Sequence, residues 1–210
     1  MRGRSLPVLI ILGILVILFF WGCSGYNSLV KEDQNVKTAW AKVQTQYQRR
    51  ADLIPNLVET VKGEAGFERG TLNDVINARA RATSMQINPE NLTPENIQQF
   101  QQAQTQLSGA LSRLLVTVEQ YPTLRANDAF RDLQRQLEGT ENRIATERDR
   151  FNETVNVYNT KVRTFPTNIF AGMMGFGTRP PFEADPGSQN APKVNFEQPK
   201  PSVSFDTTRR

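Results

Sequence analysis

The sequence predicts an all-α protein, in which an antiparallel four-helix bundle follows an N-terminal transmembrane helix and precedes a mostly disordered C-terminal tail. Three observations support this fold class. An uncharged, apolar run occupies residues 6–21. Apolar residues then recur at intervals of three and four, which is the spacing of one helix face. From Gly177 onward Pro, Gly, Asp and Asn are frequent and the helical spacing ends, so we divide the chain into an anchor (1–25), a bundle (26–176) and a tail (177–210).

The N-terminal apolar run is close to the length that crosses a bilayer, because a helix needs about 20 mostly apolar residues to span about 30 Å. Arg2 and Arg4 precede the run, and no further charge occurs before Lys31. By the positive-inside rule the N-terminus is expected in the cytoplasm. The bundle of this single-pass protein then lies on the periplasmic or extracytoplasmic side.

Cys23 offers a second means of attachment. Glycine followed by cysteine, here Gly22-Cys23, is how a bacterial lipoprotein signal ends, and the cysteine of such a signal is lipidated after cleavage. Phe20 and Trp21 are bulkier than the residues typical of such a cleavage site, so an uncleaved helix is favoured, with lipidation of Cys23 as the alternative. Either route tethers the bundle on the outer side of the membrane.

The composition argues against most catalytic chemistry. The chain has no histidine and a single cysteine, so Ser-His, Cys-His and His-zinc sites are excluded. The net charge is only +4, and acidic residues alternate with basic ones, so nucleic acid is not expected as a partner. The sequence therefore predicts a protein that is not an enzyme and uses no cofactor, metal ion or small-molecule substrate.

The helices of the bundle are predicted from apolar spacing and from proline. One seam runs from Tyr26 to Tyr47 and a second from Ile54 to Arg79, with a turn expected near residues 50–53. The seam keeps its phase across this turn, so a single long helix with a kink at Pro55 is an open alternative.

The third and fourth helices have clearer ends. Thr93 is suited to the N-cap of the third helix and Pro94 to its first position, and that helix is expected to end before Pro122. The fourth is expected to carry Phe130 and to end before Pro166. Several polar residues fall on the apolar stripes and are predicted to lie at the wet edge of the bundle or near helix ends: Asp33, Glu68, Gln104, Thr140 and Glu147.

Four segments resemble the LemA family of bacterial membrane proteins, namely residues 26–30, 46–63, 137–144 and 158–172. This resemblance implies a four-helix antiparallel bundle behind one membrane segment, and hence a location at the bacterial inner membrane; it implies no activity. The residues that match the family motifs, without a known role, are Arg49, Arg50, Asp52, Pro55, Asn56, Glu138, Glu141 and Asn142.

An anchor joined to a rigid bundle, without a nucleophile-base pair or a phosphate-binding loop, favours a non-enzymatic scaffold or adaptor of the cell envelope. The alternative is an accessory or regulatory subunit of a membrane protease or another envelope complex. The expected partners are the lipid bilayer and either an envelope protein or a second copy of the chain. A pull-down from gently solubilised membranes separates the two functions, because a stoichiometric partner favours the subunit.

A short apolar stretch after the fourth helix predicts a contact with the membrane surface. It is too short to span a bilayer, and basic residues precede it or are expected nearby at the end of the second helix. Packing at the bottom of the bundle core is an equally good explanation. The membrane-interface candidates are Arg79, Arg81, Lys161, Arg163, Ile169, Phe170, Met173, Met174 and Phe176.

Overall fold

The computed structural model describes residues 5–183, and within 5–23 it describes only the side-chain positions of Leu12, Gly13, Val16 and Gly22. The described part is all-α, as predicted, and contains no strand. Its helices are α1 (Ser5–Lys62), α2 (Arg69–Ser84), a 3₁₀ turn (Pro89–Asn91), α3 (Pro94–Val118), α4 (Pro122–Ala126), α5 (Asp128–Arg163) and α6 (Thr167–Met173).

The described residues include no helix that is long and apolar enough to cross a membrane. Arg2 and Arg4, the side chain of Cys23 and most side chains of the predicted anchor lie outside the described set. The same holds for the tail from residue 184 onward.

The turn predicted near residues 50–53 is wrong, because α1 continues through this region and past Pro55 to Lys62. The open alternative of one long helix is the correct one. The buried seam continues without interruption through Arg50, Ala51 and Ile54. The chain reverses instead in the loop 63–68, where Gly66 has a φ of +85° that a residue with a Cβ rarely adopts.

The predicted start of the third helix is confirmed, and the third and fourth helices end before Pro122 and Pro166 as predicted. The Thr93 side chain accepts a hydrogen bond from the Asn96 backbone N–H at 3.2 Å, and Pro94 is the first residue of α3. Asn127 caps α5 in the same way, by accepting from the N–H groups of Ala129 and Phe130. α5 ends at Arg163, before Pro166.

The long helices pack as antiparallel neighbours. Along α1 and α5, Glu32 contacts Lys161 and Arg50 contacts Glu141, so the residue numbers run in opposite directions. α2 and α3 are also antiparallel, since Ala82 meets Gln104 near one end of the contact and Asp74 meets Arg113 near the other. α3 lies against the C-terminal half of α1, where Phe100 of α3 packs on Trp40 and Tyr47.

Two apolar clusters form the core. The proximal cluster lies nearer the N-terminal end of α1 and includes Leu29, Val36, Trp40, Phe100, Ile144, Phe151, Tyr158 and Phe182. The distal cluster lies towards the loop 63–68 and includes Ile54, Leu57, Val61, Val75, Leu107, Leu114, Phe130 and Leu137. Residues 177–183, which we call the docked segment, follow α6 without forming a helix or strand and bring Phe182 into the proximal cluster.

Candidate functional site

A group of polar side chains from three helices meets at one level of the fold. Arg50 of α1 donates from Nη1 to Ser108 Oγ (2.9 Å) on α3 and to Glu141 Oε2 (2.8 Å) on α5. Its Nη2 donates to Gln104 Oε1 at 2.6 Å. We call these four residues the polar layer.

The polar layer separates the two apolar clusters. On α1 the proximal cluster ends at Tyr47 and the distal cluster begins at Ile54, with Arg50 between them. The side chain of Arg50 is only 2% exposed, whereas that of Glu141 is 56% exposed. Arg50 therefore bonds inside the core while its partner charge remains in contact with water, which lowers the desolvation cost of the pair.

This geometry fixes the register of three helices. A guanidinium presents its donors in a rigid plane, so its acceptors on α3 and α5 must lie at defined heights. A slide of either helix by one turn, about 5.4 Å, would break these hydrogen bonds and leave a buried charge unpaired. The Nε of Arg50 is buried without a hydrogen-bond partner, so the observed arrangement itself carries a desolvation cost at this atom.

Pro55 has a specific compensating contact. Proline has no backbone N–H, so the carbonyl of Ala51, four residues earlier in α1, loses its helical donor. The Nε of Arg79 on α2 donates to that carbonyl at 2.8 Å. Arg79 thus allows α1 to continue through Pro55 and ties α2 to α1 at the same point.

The structure places Arg79 and Arg81 far from the other membrane-interface candidates, so this part of the prediction is wrong. Arg79 lies against Ala51, whereas α6 contacts α1 at Gly22. The separation along α1 is about 43 Å at 1.5 Å per residue. The physical reason is the later turn, because α2 begins only at Arg69 and its C-terminal end reaches only the middle of α1.

The other motif residues do not assemble into a site. Arg49, Asp52, Asn56, Glu138 and Asn142 are exposed on α1 and α5. Their hydrogen bonds are local: Asp52 accepts from Gln48, and Glu138 from Gln134, each within one helix. Of the predicted motif residues, Arg50 and Glu141 meet directly, and Pro55 acts through Arg79.

Sequence reasoning missed two members of the polar layer. Gln104 was expected at a wet edge, but it is buried, as are Asp33 and Thr140; Ser108 was not singled out. Glu68 and Glu147 are not buried, in line with the prediction. A buried arginine on the α1 seam is the signal that could have identified Gln104, because it needs polar acceptors on the facing stripes.

A second polar group, the ion cluster, lies beside the proximal cluster and consists of Asp33, Lys37, Glu90 and Arg179. Asp33 pairs with Lys37 (2.9 Å) and with Arg179 of the docked segment (2.9 Å). Lys37 also pairs with Glu90 at 2.8 Å. These contacts join α1 to the 3₁₀ turn and to the docked segment.

Protonation equilibria in the ion cluster follow from these contacts. Burial by itself raises the pKa of Asp33, but the hydrogen bonds from Lys37 and Arg179 outweigh burial and hold that pKa below its usual range. Hydrogen bonds to Glu90 and Asp33 raise the pKa of Lys37. Nearby, hydrogen bonds from Asn35 and Lys161 lower the pKa of Glu32.

We expect Asp33 to contribute to loss of stability in acid. Its pKa is lower in the folded than in the unfolded chain, so its contribution is present above the unfolded value of about 4 and disappears as the pH falls through the folded value. Asp33→Asn should therefore show a flatter fall of the urea midpoint below about pH 4 than the wild type. Asp149→Asn, an exposed site on α5, is the control, and equal acid slopes for Asp33→Asn and the wild type would contradict the assignment.

Five of the membrane-interface candidates lie on the short helix α6 or directly after it, and two more, Lys161 and Arg163, lie at the end of α5. Phe170 packs on Gly22 of α1, where an added Cβ would lie 3.3 Å from the phenyl ring, and Phe176 packs edge-on against Tyr26. Ile169, Met173 and Met174 are exposed, with Met173 at 80%. Lys161 pairs with Glu32, and Arg163 is exposed nearby. One face of α6 therefore packs on the fold and its apolar remainder points outward.

The described surface offers a shallow cavity beside the polar layer. This cavity of about 630 Å³ lies between α1, α2 and α3 and is lined by Gln44, Gln48, Asp52, Thr83 and Gln104 among others. Among the side chains that the structure describes, which exclude Cys23, no three Cys, Asp or Glu residues come together to hold a metal ion. The cavity lining provides amides, hydroxyls, the carboxylate of Asp52 and the guanidinium of Arg49, all of which can form hydrogen bonds.

Comparisons with known proteins agree with the motif resemblance. Magnetosome protein MamQ 2 of Paramagnetospirillum magneticum is 25% identical over 178 residues, which is 77% of this chain and 65% of the relative. Magnetosome protein MamQ of Magnetospirillum gryphiswaldense is 25% identical over 170 residues, or 72% of this chain and 62% of the relative. The chain thus spans slightly less than two thirds of the length of these magnetosome proteins.

A further relative carries the family's name. Protein LemA of Metamycoplasma hominis is 21% identical over 155 residues, covering 74% of this chain and 67% of the relative. The sequence model of the LemA family itself matches residues 39–196, which is well over half of the chain and includes the polar layer, α6 and the docked segment. On this match, the chain belongs to the LemA family.

Proposed function

We propose that the chain is a single-pass protein of the bacterial inner membrane, in which an antiparallel four-helix bundle stands on the periplasmic or extracytoplasmic side as a non-enzymatic scaffold or adaptor. The observation that carries this proposal is the continuity of α1 from Ser5 to Lys62. The uncharged run 6–21 and the buried seam of the helical domain lie on one helix. Because this helix is uninterrupted, the orientation of the anchor in the membrane also fixes the orientation of the helical domain.

The exposed side of α6 supports the same position of the membrane. α6 packs on Gly22, the residue directly after the apolar run. If residues 6–21 span the bilayer, Ile169, Met173 and Met174 lie at the level of the headgroups. Exposed apolar side chains near a cation such as Arg163 suit an anionic interface, where each cation adds about 1 kcal/mol before screening by salt.

We expect position 173 to contact lipid in the full chain. A bimane fluorophore on Met173→Cys, in a Cys23→Ser background and in vesicles with anionic lipid, should be quenched strongly by brominated lipid. The same label on Val116→Cys should not be quenched, because Val116 is an exposed apolar residue of α3 beside the distal cluster. Equal quenching at both positions, or no quenching at either, would contradict a position of α6 at the membrane interface.

The scaffold role, without catalysis, is supported by the arrangement of the motif residues. Glu141, a family-motif residue, accepts a hydrogen bond from Arg50 and helps hold three helices together. Asn142 and Glu138 are exposed on α5, and Glu138 accepts a hydrogen bond from Gln134 of the same helix. Residues that stabilise a rigid body, beside polar surface that stays free, suit a protein that positions partners.

Photocrosslinking in living cells tests the scaffold role. A photoreactive amino acid is placed singly at exposed positions of the described surface, for example Arg49, Ile76, Val116 and Asn142, and the crosslinked products are identified by mass spectrometry. We expect one face of the domain to give discrete protein adducts, including adducts to a second copy of the chain. Absence of protein adducts at every exposed position would contradict a scaffold or adaptor.

A further inference from the structure

The docked segment lies along α5 as a peptide lies in a binding groove. Two asparagines of α5 hold its backbone through paired hydrogen bonds. Asn159 donates to the carbonyl of Arg179 (2.8 Å) and accepts from its N–H (2.8 Å). Asn152 makes the same pair with Phe182, at 3.2 and 2.8 Å.

The spacing of this double clamp matches an extended chain. Asn152 and Asn159 are seven residues apart on α5, which corresponds to about 10.5 Å along the helix axis. Arg179 and Phe182 are three residues apart, and an extended chain covers about 10 Å in three residues. Because each clamp bonds only to the backbone, the groove accepts any extended sequence that has an N–H at both clamped positions.

Two side-chain subsites supply the sequence preference. Phe182 stacks on Trp40 (5.6 Å between ring centroids), meets Phe151 edge-on (5.4 Å) and lies under the guanidinium of Arg148 (4.8 Å). Three residues earlier, Arg179 reaches Asp33 at 2.9 Å. The groove therefore selects a basic residue followed, three positions later, by phenylalanine.

The tail repeats this pattern. The docked segment reads Arg179-Pro-Pro-Phe182-Glu183, and residues 193–197 read Lys-Val-Asn-Phe-Glu, with the basic residue, the phenylalanine and the following acid at the same spacing. Residues 202–206 read Ser-Val-Ser-Phe-Asp and lack only the basic residue. Neither clamped position is proline in these repeats, so each retains both N–H groups that the asparagines require.

We propose that the groove formed by α1, α3 and α5 is a recognition site for extended basic-x-x-Phe peptides, and that residues 193–197 of the tail are its second ligand, which exchanges with residues 179–183. The fourteen-residue offset between the repeats is long enough for the second repeat to reach the groove once the first is released, at a modest cost in loop entropy. The repeat at 202–206 binds more weakly, because Asp33 meets no cation there.

Photocrosslinking in the full chain tests this proposal. p-Benzoylphenylalanine is placed at position 196, in the wild type and in Phe182→Ala, and adducts to peptides that contain Trp40 or Phe151 are counted. Phe182→Ala empties the aromatic subsite. We therefore expect the yield of adducts from position 196 to rise roughly tenfold, because residues 179–183, which compete for the groove, have lost their aromatic anchor. Lys193→Ala should lower that yield, and the photoreactive residue at position 205 should give less than at 196. Adducts within one chain and between two chains both support the assignment.

A second measurement does not depend on the fold of Phe182→Ala. With the photoreactive residue at position 182 of an otherwise unchanged chain, a synthetic peptide of residues 190–199 is added in excess. We expect this peptide to reduce the adducts of position 182, whereas the same peptide with Phe196→Ala should be at least roughly tenfold less effective. The proposal fails if position 196 gives no groove adducts in a folded Phe182→Ala chain, or if neither peptide competes with position 182.

Discussion

Replacing Arg50 by alanine should reduce the free energy of unfolding by about 3 kcal/mol, at the lower end of the range for breaking a buried ion pair. The variant loses the hydrogen bonds to Gln104, Ser108 and Glu141 and leaves a cavity between the two apolar clusters. Gln104 stays buried without its charged donor, which adds a desolvation cost. Glu141 limits the loss, because it is more than half exposed and can return to water.

Thermal unfolding of the full chain in detergent, followed by circular dichroism, measures this effect. A loss of about 3 kcal/mol corresponds to a fall in Tm of roughly 10 °C for a domain of this size. Arg49→Ala is the matched control, since Arg49 is the exposed neighbour on the same helix, and it should change stability by less than about 0.5 kcal/mol. Arg50→Lys should lie between the two, because one ammonium cannot reach acceptors on both helices in the same plane. An Arg50→Ala variant as stable as Arg49→Ala would show that the polar layer does not hold the helices together.

Local signals in the sequence were sufficient for several elements. Thr93-Pro94 predicts the start of α3 because a side-chain oxygen and a ring without an N–H both suit a helix N-terminus, and the observed cap has this form. Apolar spacing predicts α5 because its stripe is continuous from Phe130 to Val162. These features depend on residues close together in the chain, so no tertiary information is needed to recognise them.

The continuation of α1 through residues 50–53, where a turn was predicted, could not be recognised from local signals. Pro55 argues against a helix interior because it leaves the carbonyl of Ala51 without a donor. The donor that replaces it is Arg79, on another helix and 28 positions from Ala51. A sequence pattern gives no information about such a contact, so Pro55 indicates a turn even though the apolar seam, and with it α1, continues past it.

The candidate site shows the same limit. Arg50 and Glu141 were recognised by motif resemblance, but their contact depends on the antiparallel register of α1 and α5. Asp33 and Gln104 were expected at a wet edge because polar residues on an apolar stripe are usually exposed; both are buried with partners that are distant in sequence. The position of the docked segment could not be predicted either. Asn152 and Asn159 of α5 are recognisable as a pair only from their hydrogen bonds to the backbone of this segment.

Labelling of single cysteines in intact spheroplasts shows on which side of the membrane the helical domain lies. In a Cys23→Ser background, Val116→Cys is treated with a membrane-impermeant maleimide in spheroplasts, with Gly3→Cys as the matched control on the other side of the apolar run. The positive-inside rule predicts that the exposed position 116 is labelled in intact spheroplasts and that position 3 is labelled only after lysis. Labelling of position 116 only after lysis would contradict the orientation, and recovery of the chain in the soluble fraction would contradict the anchor itself.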